Sequence, residues 1–239
     1  MSNEESILFF EKYKEDLKKV NRFFVDPIYE EYFDRIIRDH TIIVNEDEIF
    51  YRARINKFGD NYAYTKAEIN MPPLSVIQNV GRVNPKGIAY FYLANNVETA
   101  ISEVRPEISS RVTVGKFRLK NKKRVLEFKS SATISGNNND KLDSCDISGF
   151  MGYLLLGFNR PVFEDNKDLE YLPYQYFAEY CKRRGLDGIK YNSSMNRRPS
   201  KNYCYSMFDN NDFCWITSDL YHINNLTYHF CQVSGELEY

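Results

Sequence analysis

GRVNPKGIAYFYLANNVETAISEVRP, residues 81–106, is the stretch whose reading decides the fold. Within it GIAYFYLA, Gly87–Ala94, is a continuous apolar and aromatic run bounded by turn residues, which predicts a buried strand. Asn95 and Asn96 interrupt the run, and Val97–Val104 then predicts a short helix that Pro106 stops. Strand, turn and helix follow one another within about twenty residues, so two arginines, ring hydroxyls and carboxylates gather around one junction. Charged groups that close to a buried strand are placed for chemistry on a ligand.

Upstream, ILFFEKYKEDLKKV puts Ile7, Phe10, Leu17 and Val20 near one face of a helix running from Glu4 to about Val20. A second helix is predicted after Asp26-Pro27: Asp26 caps it, Pro27 takes the tolerated first position, and Tyr29, Tyr32, Phe33, Ile36 and Ile37 repeat at helical spacing to His40. These helices define an N-terminal helical extension over residues 1–45, ahead of a main domain over 46–239. Thr41–Val44 and Glu48–Ile55 read as strands, and Asn56–Val80, with Pro72-Pro73, reads as a long loop.

Downstream, Arg111–Leu119 and Arg124–Phe128 read as a hairpin around the polar turn KNKK, which makes Lys120, Lys122, Lys123 and Arg124 a solvated basic tip. Ser130–Asp140 reads as a surface loop, and GFMGYLLLGFNRPVF, open to strand or helix, is assigned to helix. Tyr171–Arg184 is a helix ended by Gly185, feeding a strand at Gly188–Tyr191. Further strands are expected at Tyr203–Phe208, Phe213–Thr217, Tyr221–Asn224 and Thr227–Val233. The fold class is therefore α+β, a mixed, curved sheet flanked by helices.

Composition narrows the function. The 239 residues are 43% hydrophobic and 27% charged with a net charge of −1, which supplies no long-range attraction for nucleic acid. No apolar run approaches the roughly 18–20 residues of a membrane span, and the opening MSNEES is not a secretory signal, so a cytoplasmic location away from membranes is expected. Cys145, Cys181, Cys204, Cys214 and Cys231 are odd in number and widely spaced, as reduced core thiols are, and no metal ligand set is visible. His40, His222 and His229 lie in no HExxH and beside no GxSxG, and Gly81-Arg82-Val83-Asn84 matches neither a Walker A loop nor GxGxxG.

Arg82, Tyr92 and Glu103 stand ten and eleven residues apart inside the deciding stretch. With FYRAR at 50–54, GLDGIKYNSS at 185–194 and YCYSMFD at 203–209, in this order, the chain resembles the RES family over roughly Glu48 to Val233. That family's pattern is a Gly-Arg-x-Asn loop, a strand ending Tyr-Leu-Ala, Glu-Val-Arg, and a Gly-Ile-x-Tyr-x-Ser strand. The chain departs from it at Asn192, commonly Pro in the family, and in the N-terminal helices and the 130–140 insertion.

The resemblance implies an ADP-ribosyltransferase-like fold and an enzyme that cleaves the nicotinamide–ribose bond of NAD⁺, the toxin of a toxin–antitoxin pair whose partner is an Xre-like antitoxin. By the same resemblance Arg82, Tyr92, Glu103 and Ser193 are the catalytic set, with Ser194 the other choice for the serine. Arg82, Tyr92, Ser193 and, secondarily, Arg52 bind NAD⁺. NAD⁺ is a substrate here, no resident cofactor is implied, and the acceptor is left open between inorganic phosphate and water. Two other readings remain: transfer of ADP-ribose to a protein, and a silent module that binds a nucleotide or partner.

The residue types suit the chemistry. Bond cleavage at the ribose builds an oxocarbenium-like centre that a carboxylate such as Glu103 stabilises, and nicotinamide leaves without a general acid, so a site poor in His can work. Arginine offers a bidentate fork for phosphate. Each residue also has a structural use: Arg82 as a loop cap, Tyr92 as core, Glu103 in a surface pair with Arg105 or Arg111, and Ser193 as a strand end.

Overall fold

The computed structural model describes residues 3–72, 81–128, 143–159, 167–193, 195 and 201–227, with side chains at 3, 4, 143–148, 159 and 167 outside that description. Pro73, Ser130–Asp140, Ser194, His229, Cys231 and nearly all of the strand expected at Thr227–Val233 lie outside the described residues.

Helix α1 spans Asn3–Glu15 and ends in a π-helical turn, Asp16–Val20. Helix α2 spans Pro27–His40, and Asp26 accepts a hydrogen bond from the Ile28 amide at 3.0 Å, as an N-cap should. Helix α5, Asp143–Asn159, settles the ambiguous apolar segment. Phe150, Leu154 and Phe158 recur every four residues and are all buried on one face, a period no strand has. Helix α7, Leu172–Arg183, ends where Gly185 takes φ +77°, a conformation costly for any residue with a Cβ. Short helices complete the set: α3 at Lys66–Ile69, α4 at Val97–Glu103 and α6 at Lys167–Glu170.

Eight strands form one open, curved sheet among the described residues: β1 Thr41–Val44, β2 Ile49–Ile55, β3 Phe91–Ala94, β4 Arg111–Leu119, β5 Lys123–Glu127, β6 Gly188–Asn192, β7 Tyr203–Met207 and β8 Phe213–His222. Their order is β1-β5-β6-β7-β3-β2-β4-β8, with β5 and β6 parallel and the other neighbours antiparallel. The architecture is the expected α+β class with a mixed sheet.

Three expectations are corrected. β4 and β5 do not form a hairpin, because β4 pairs with β2 and β8 while β5 pairs with β1 and β6. Val44 faces Lys123 and Ile49 faces Arg118, so four residues separate the strands on each side and the register runs on unbroken. Leu119 bridges the gap through its carbonyl, which accepts from Asp47 N, and its amide, which donates to Glu48 O. β1–β2 and β5–β4 are thus one long antiparallel ribbon with a bend at its middle, and KNKK is the bend. Lys123 is accordingly no solvated tip: its side chain is 8% exposed and pairs with Asp212 at 2.5 Å and Asp187 at 3.3 Å. The strand expected over Gly87–Ala94 begins only at Phe91, since Gly87 adopts φ +86° and Ile88 N closes a turn onto Pro85 O. Finally, the two strands expected at 213–217 and 221–224 are the single β8, which absorbs a bulge opposite Lys116/Phe117.

Alternation sorts the side chains onto two faces. On one face Phe50, Phe91, Leu93, Phe117, Leu119, Val125, Tyr205, Met207 and Phe213 form a core inside the curl. The other face is divided. At one end α1, α2, α5 and α7 pack Phe10, Tyr13, Phe33, Phe150 and Phe177 over Leu126 and Ile189. At the other end α4 packs Ala100 against Ala94, Val112 and Val114. Between the two groups lies an uncovered strip of sheet.

Candidate active site

Tyr92 of β3, Tyr191 of β6 and Cys204 of β7 line this strip, and Glu103, the last residue of α4, overlooks it. Two cavities open there, each of about 240 Å³. Tyr92, Glu103 and Tyr191 belong to both, while Arg52 lines one and Arg82 the other. The result is a two-lobed cleft with Arg52 in one lobe, Arg82 and Arg105 in the other, and a carboxylate at the junction.

Ser193 closes the set. It is 2% exposed, sits directly after β6, and its Oγ donates to Glu103 Oε1 at 2.6 Å while accepting from the Met195 amide at 3.2 Å. All five residues predicted for the site, Arg52, Arg82, Tyr92, Glu103 and Ser193, therefore meet around one cleft although they span 142 positions of the chain. Glu103 is exposed to the cleft and is hydrogen-bonded by Ser193, with the Cys204 thiol also within reach of its carboxylate.

Arg82 is presented by the loop Gly81–Asn84. Gly81 N donates to Asn84 O, and Gln175 of α7 donates to the Gly81 carbonyl at 2.8 Å and the Asn84 carbonyl at 3.3 Å. The Tyr92 hydroxyl donates to Asn84 Oδ1 at 2.5 Å and so ties β3 to this loop, while the residue lines the cleft. Burial, ahead of any neighbour, pushes the Tyr92 phenol well above its ordinary range and keeps it a donor. A Cβ on Gly81 would lie 2.0 Å from Asn84 Oδ1, so only glycine permits this closure. Arg82 itself lies over the Tyr171 ring, 5.8 Å from its centroid.

Arg52 reaches the cleft from between strands. β2 and β3 share one register pair, Tyr51 with Ala94, and then part. In the opening the Arg52 guanidinium donates to the Tyr92 carbonyl at 3.2 Å and stands over the Phe91 ring. Its Nε is buried without a partner, and burial, then the nearby Arg54 charge, lowers its pKa to about 10.

Sequence reasoning missed Asn84, Tyr171, Gln175, Tyr191 and Cys204. Asn84 and Tyr191 stood inside the quoted motifs, so their participation was open to inspection; Tyr171 and Gln175 lie on or beside a helix whose spacing says only that it is amphipathic. Cys204, a buried free thiol as composition implied, lines the Arg52 lobe; burial and then the Glu103 carboxylate push it up, so it stays protonated. Cys181 is likewise buried and free. His222 bonds to Asn224 on the surface, away from the cleft. Among the described residues no cluster of three or more His, Cys, Asp or Glu is placed to hold a metal ion, and no helix is long and apolar enough to cross a membrane.

A curved mixed sheet with a cleft between two helix groups, lined by arginines, a glutamate and, behind it, a serine, defines the α+β architecture of this protein. The sequence profile of the RES domain matches residues 49–217, and the chain belongs to the RES-domain family. No curated protein matches it. Among solved structures, it is similar to a chain in the crystal structure of the M. tuberculosis MbcT–MbcA toxin–antitoxin complex, at 12% identity and a TM-score of 0.45 over 80% of this chain and 92% of that one.

Proposed function

We propose that this protein cleaves the nicotinamide–ribose bond of NAD⁺, as the toxin of a cytoplasmic toxin–antitoxin pair held in check by an Xre-like antitoxin. The observation that carries the reading is the Ser193–Glu103 hydrogen bond of 2.6 Å at the junction of two lobes that each hold an arginine. The pyrophosphate of NAD⁺ is attached directly to the reacting ribose, so arginines beside a carboxylate suit a substrate whose anion stands next to its anomeric centre.

On this reading Arg82 and Arg52 bind phosphate oxygens and fix the dinucleotide across the cleft. Ser193 holds Glu103 so that one carboxylate oxygen faces the anomeric carbon. As the C–N bond breaks, its electron pair passes to the pyridinium nitrogen, nicotinamide leaves neutral, and Glu103 stabilises the positive charge left on the ribose. The acceptor oxygen, from phosphate or water, then bonds to the anomeric carbon; if it is water, its proton leaves to Glu103 or to solvent. The exposure of Glu103 to the cleft leaves an open path for either acceptor.

The test is incubation with NAD⁺ with and without inorganic phosphate, followed by mass spectrometry. Free nicotinamide with ADP-ribose-1″-phosphate is phosphorolysis, and nicotinamide with ADP-ribose is hydrolysis. Glu103→Ala is expected to lower turnover by about 10²–10⁴-fold and to relieve the NAD⁺ depletion and growth arrest expected of the wild type in cells. Labelled acceptor protein in place of free products would identify an ADP-ribosyltransferase instead, and tight binding without turnover a silent module.

A further inference from the structure

The Ser193–Glu103 bond joins two elements ninety positions apart, and neither residue sets its own place. Helix α4, which carries Glu103, has seven residues and packs Ala100 on Ala94, Val112 and Val114, contacts that hold it to the sheet without a directional bond to set its alignment. Its first turn is tied instead to Asn202, the residue before β7. Asn202 Oδ1 accepts from Asn96 Nδ2 at 2.9 Å and from Thr99 Oγ1 at 3.1 Å. The main-chain carbonyl of the same residue accepts from the Ser193 amide at 2.9 Å. One asparagine thus grips α4 with its side chain and the Ser193 backbone with its main chain. Asn96 is also the N-cap of α4, accepting from the Thr99 amide at 2.8 Å, so the grip falls on the helix start itself. Asn95 secures the same seam, accepting from the Tyr203 amide at 2.9 Å and donating to the Lys201 carbonyl at 2.9 Å.

We propose that Asn202 is a positioning residue, clamping α4 to the end of β6 in the alignment at which Ser193 Oγ reaches Glu103. The kinetic side of this inference rests on the NAD⁺-cleaving reading above; the structural side does not. Thr99 is fully buried, so its hydroxyl cannot exchange Asn202 for bulk water without a local rearrangement. A shift of about 1 Å at a reacting group costs on the order of a hundredfold in rate, and the apolar packing of α4 on the sheet, being non-directional, does not by itself fix that alignment. Arg52 and Arg82, the phosphate-binding groups, lie on other elements, so their hold on the dinucleotide does not pass through the clamp.

The experiment compares Asn202→Ala, Asn202→Asp and Thr99→Val. With NAD⁺ as substrate, Asn202→Ala should lower kcat by roughly ten- to a hundredfold while KM stays within about twofold, because the phosphate-binding groups remain. Asn202→Asp keeps an oxygen that accepts from both Asn96 and Thr99 and should recover most of the rate. Thr99→Val keeps shape and removes one donor, and serves as the test if Asn202→Ala fails to fold. The readout independent of activity is the crystal structure of Asn202→Ala, in which the Ser193–Glu103 separation should open from 2.6 Å to beyond about 3.5 Å. A retained contact overturns the clamp whether or not NAD⁺ is the substrate, as does a wild-type kcat in Asn202→Ala. Absence of nicotinamide release by the wild type would overturn the activity and leave the crystallographic arm to decide the clamp.

Discussion

Arg52 keeps its guanidinium in a place where the charge is poorly solvated: it donates to the Tyr92 carbonyl, faces the Phe91 ring, and leaves Nε buried with no partner. Burial lowers its pKa from the ordinary guanidinium range to about 10, which means that folding disfavours the charged form. The sign follows from proton binding. Above about 10, up to the ordinary guanidinium range, the unfolded chain holds the proton that the folded chain has released, so this residue's contribution to stability rises with pH there. Below about 10 its burial cost is present in full. Arg52→Met should therefore stabilise the protein by roughly 1–2 kcal/mol at pH 7, the gain from relieving a buried charge less the lost hydrogen bond. The same variant should raise KM for NAD⁺ at least tenfold. Urea unfolding and steady-state kinetics measure both, and a destabilised variant with unchanged KM would reduce Arg52 to a wedge between strands. At this scale the candidate site was legible in so far as residue type and place in a motif pointed to Arg82, Glu103 and Ser193, which meet at one cleft. It was illegible where the role depends on what the chain brings alongside: the Tyr92 hydroxyl is held by Asn84, and nothing in an apolar strand announces that.

Elements repeat the lesson with a different cause. Helices α2 and α7 were legible because cap, proline and glycine punctuation are local signals, written within a few residues of the feature. The β1–β2/β5–β4 ribbon was not, because a polar segment such as KNKK marks equally well a hairpin tip or a bend in one continuous strand. Long-range pairing decides between them. The bend is held by Lys123, whose ammonium meets Asp212 at 2.5 Å and Asp187 at 3.3 Å with an exposure of 8%. Burial alone would lower the Lys123 pKa, but the hydrogen bond to Asp212 and the charges of Asp209 and Asp187 outweigh it and raise it, while the same bond, with Asn121, lowers that of Asp212. Asp212 therefore contributes stability that is complete above its unfolded value near 3.8 and is lost as pH falls through its lowered folded value. Lys123 contributes stability that is complete below 10.5 and is lost as pH rises through its raised folded value. Lys123→Met should cost about 1–3 kcal/mol near neutrality, less than a fully buried pair because the carboxylates are partly solvated. The difference from wild type should shrink below about pH 4, where Asp212 protonates. A deficit of constant size across an acid titration would show that the loss comes from packing and not from the ion pairs.

Across the whole molecule the question is whether the first forty residues belong to the cooperative unit. The RES match begins at residue 49, so α1, α2 and β1 lie before it, yet they supply Phe10, Tyr13, Leu17, Tyr29, Phe33 and Ile36 to the same core as Phe150 and Phe177. Phe33 alone has ring contacts with Tyr13, Phe150, Phe177 and Tyr180 at centroid separations of 4.9–6.0 Å. Removing that ring by Phe33→Ala should cost about 3–5 kcal/mol, a large part of the 5–15 kcal/mol typical of a domain. The protein also carries its own reporter, because the single tryptophan, Trp215, packs on the opposite face of the sheet, against the core inside the curl. Far-UV circular dichroism follows the helices, α1 and α2 among them, while Trp215 fluorescence follows the sheet. If the N-terminal helices are part of one cooperative structure, the two urea transitions will coincide in the wild type and shift together in Phe33→Ala. Deleting residues 1–40 would then uncover the aromatic face of α5 and α7 and leave a chain with helical signal but no cooperative Trp215 transition. Two separate transitions in the wild type, the early one confined to the helical signal, would instead make α1 and α2 an appendage that the cleft can do without.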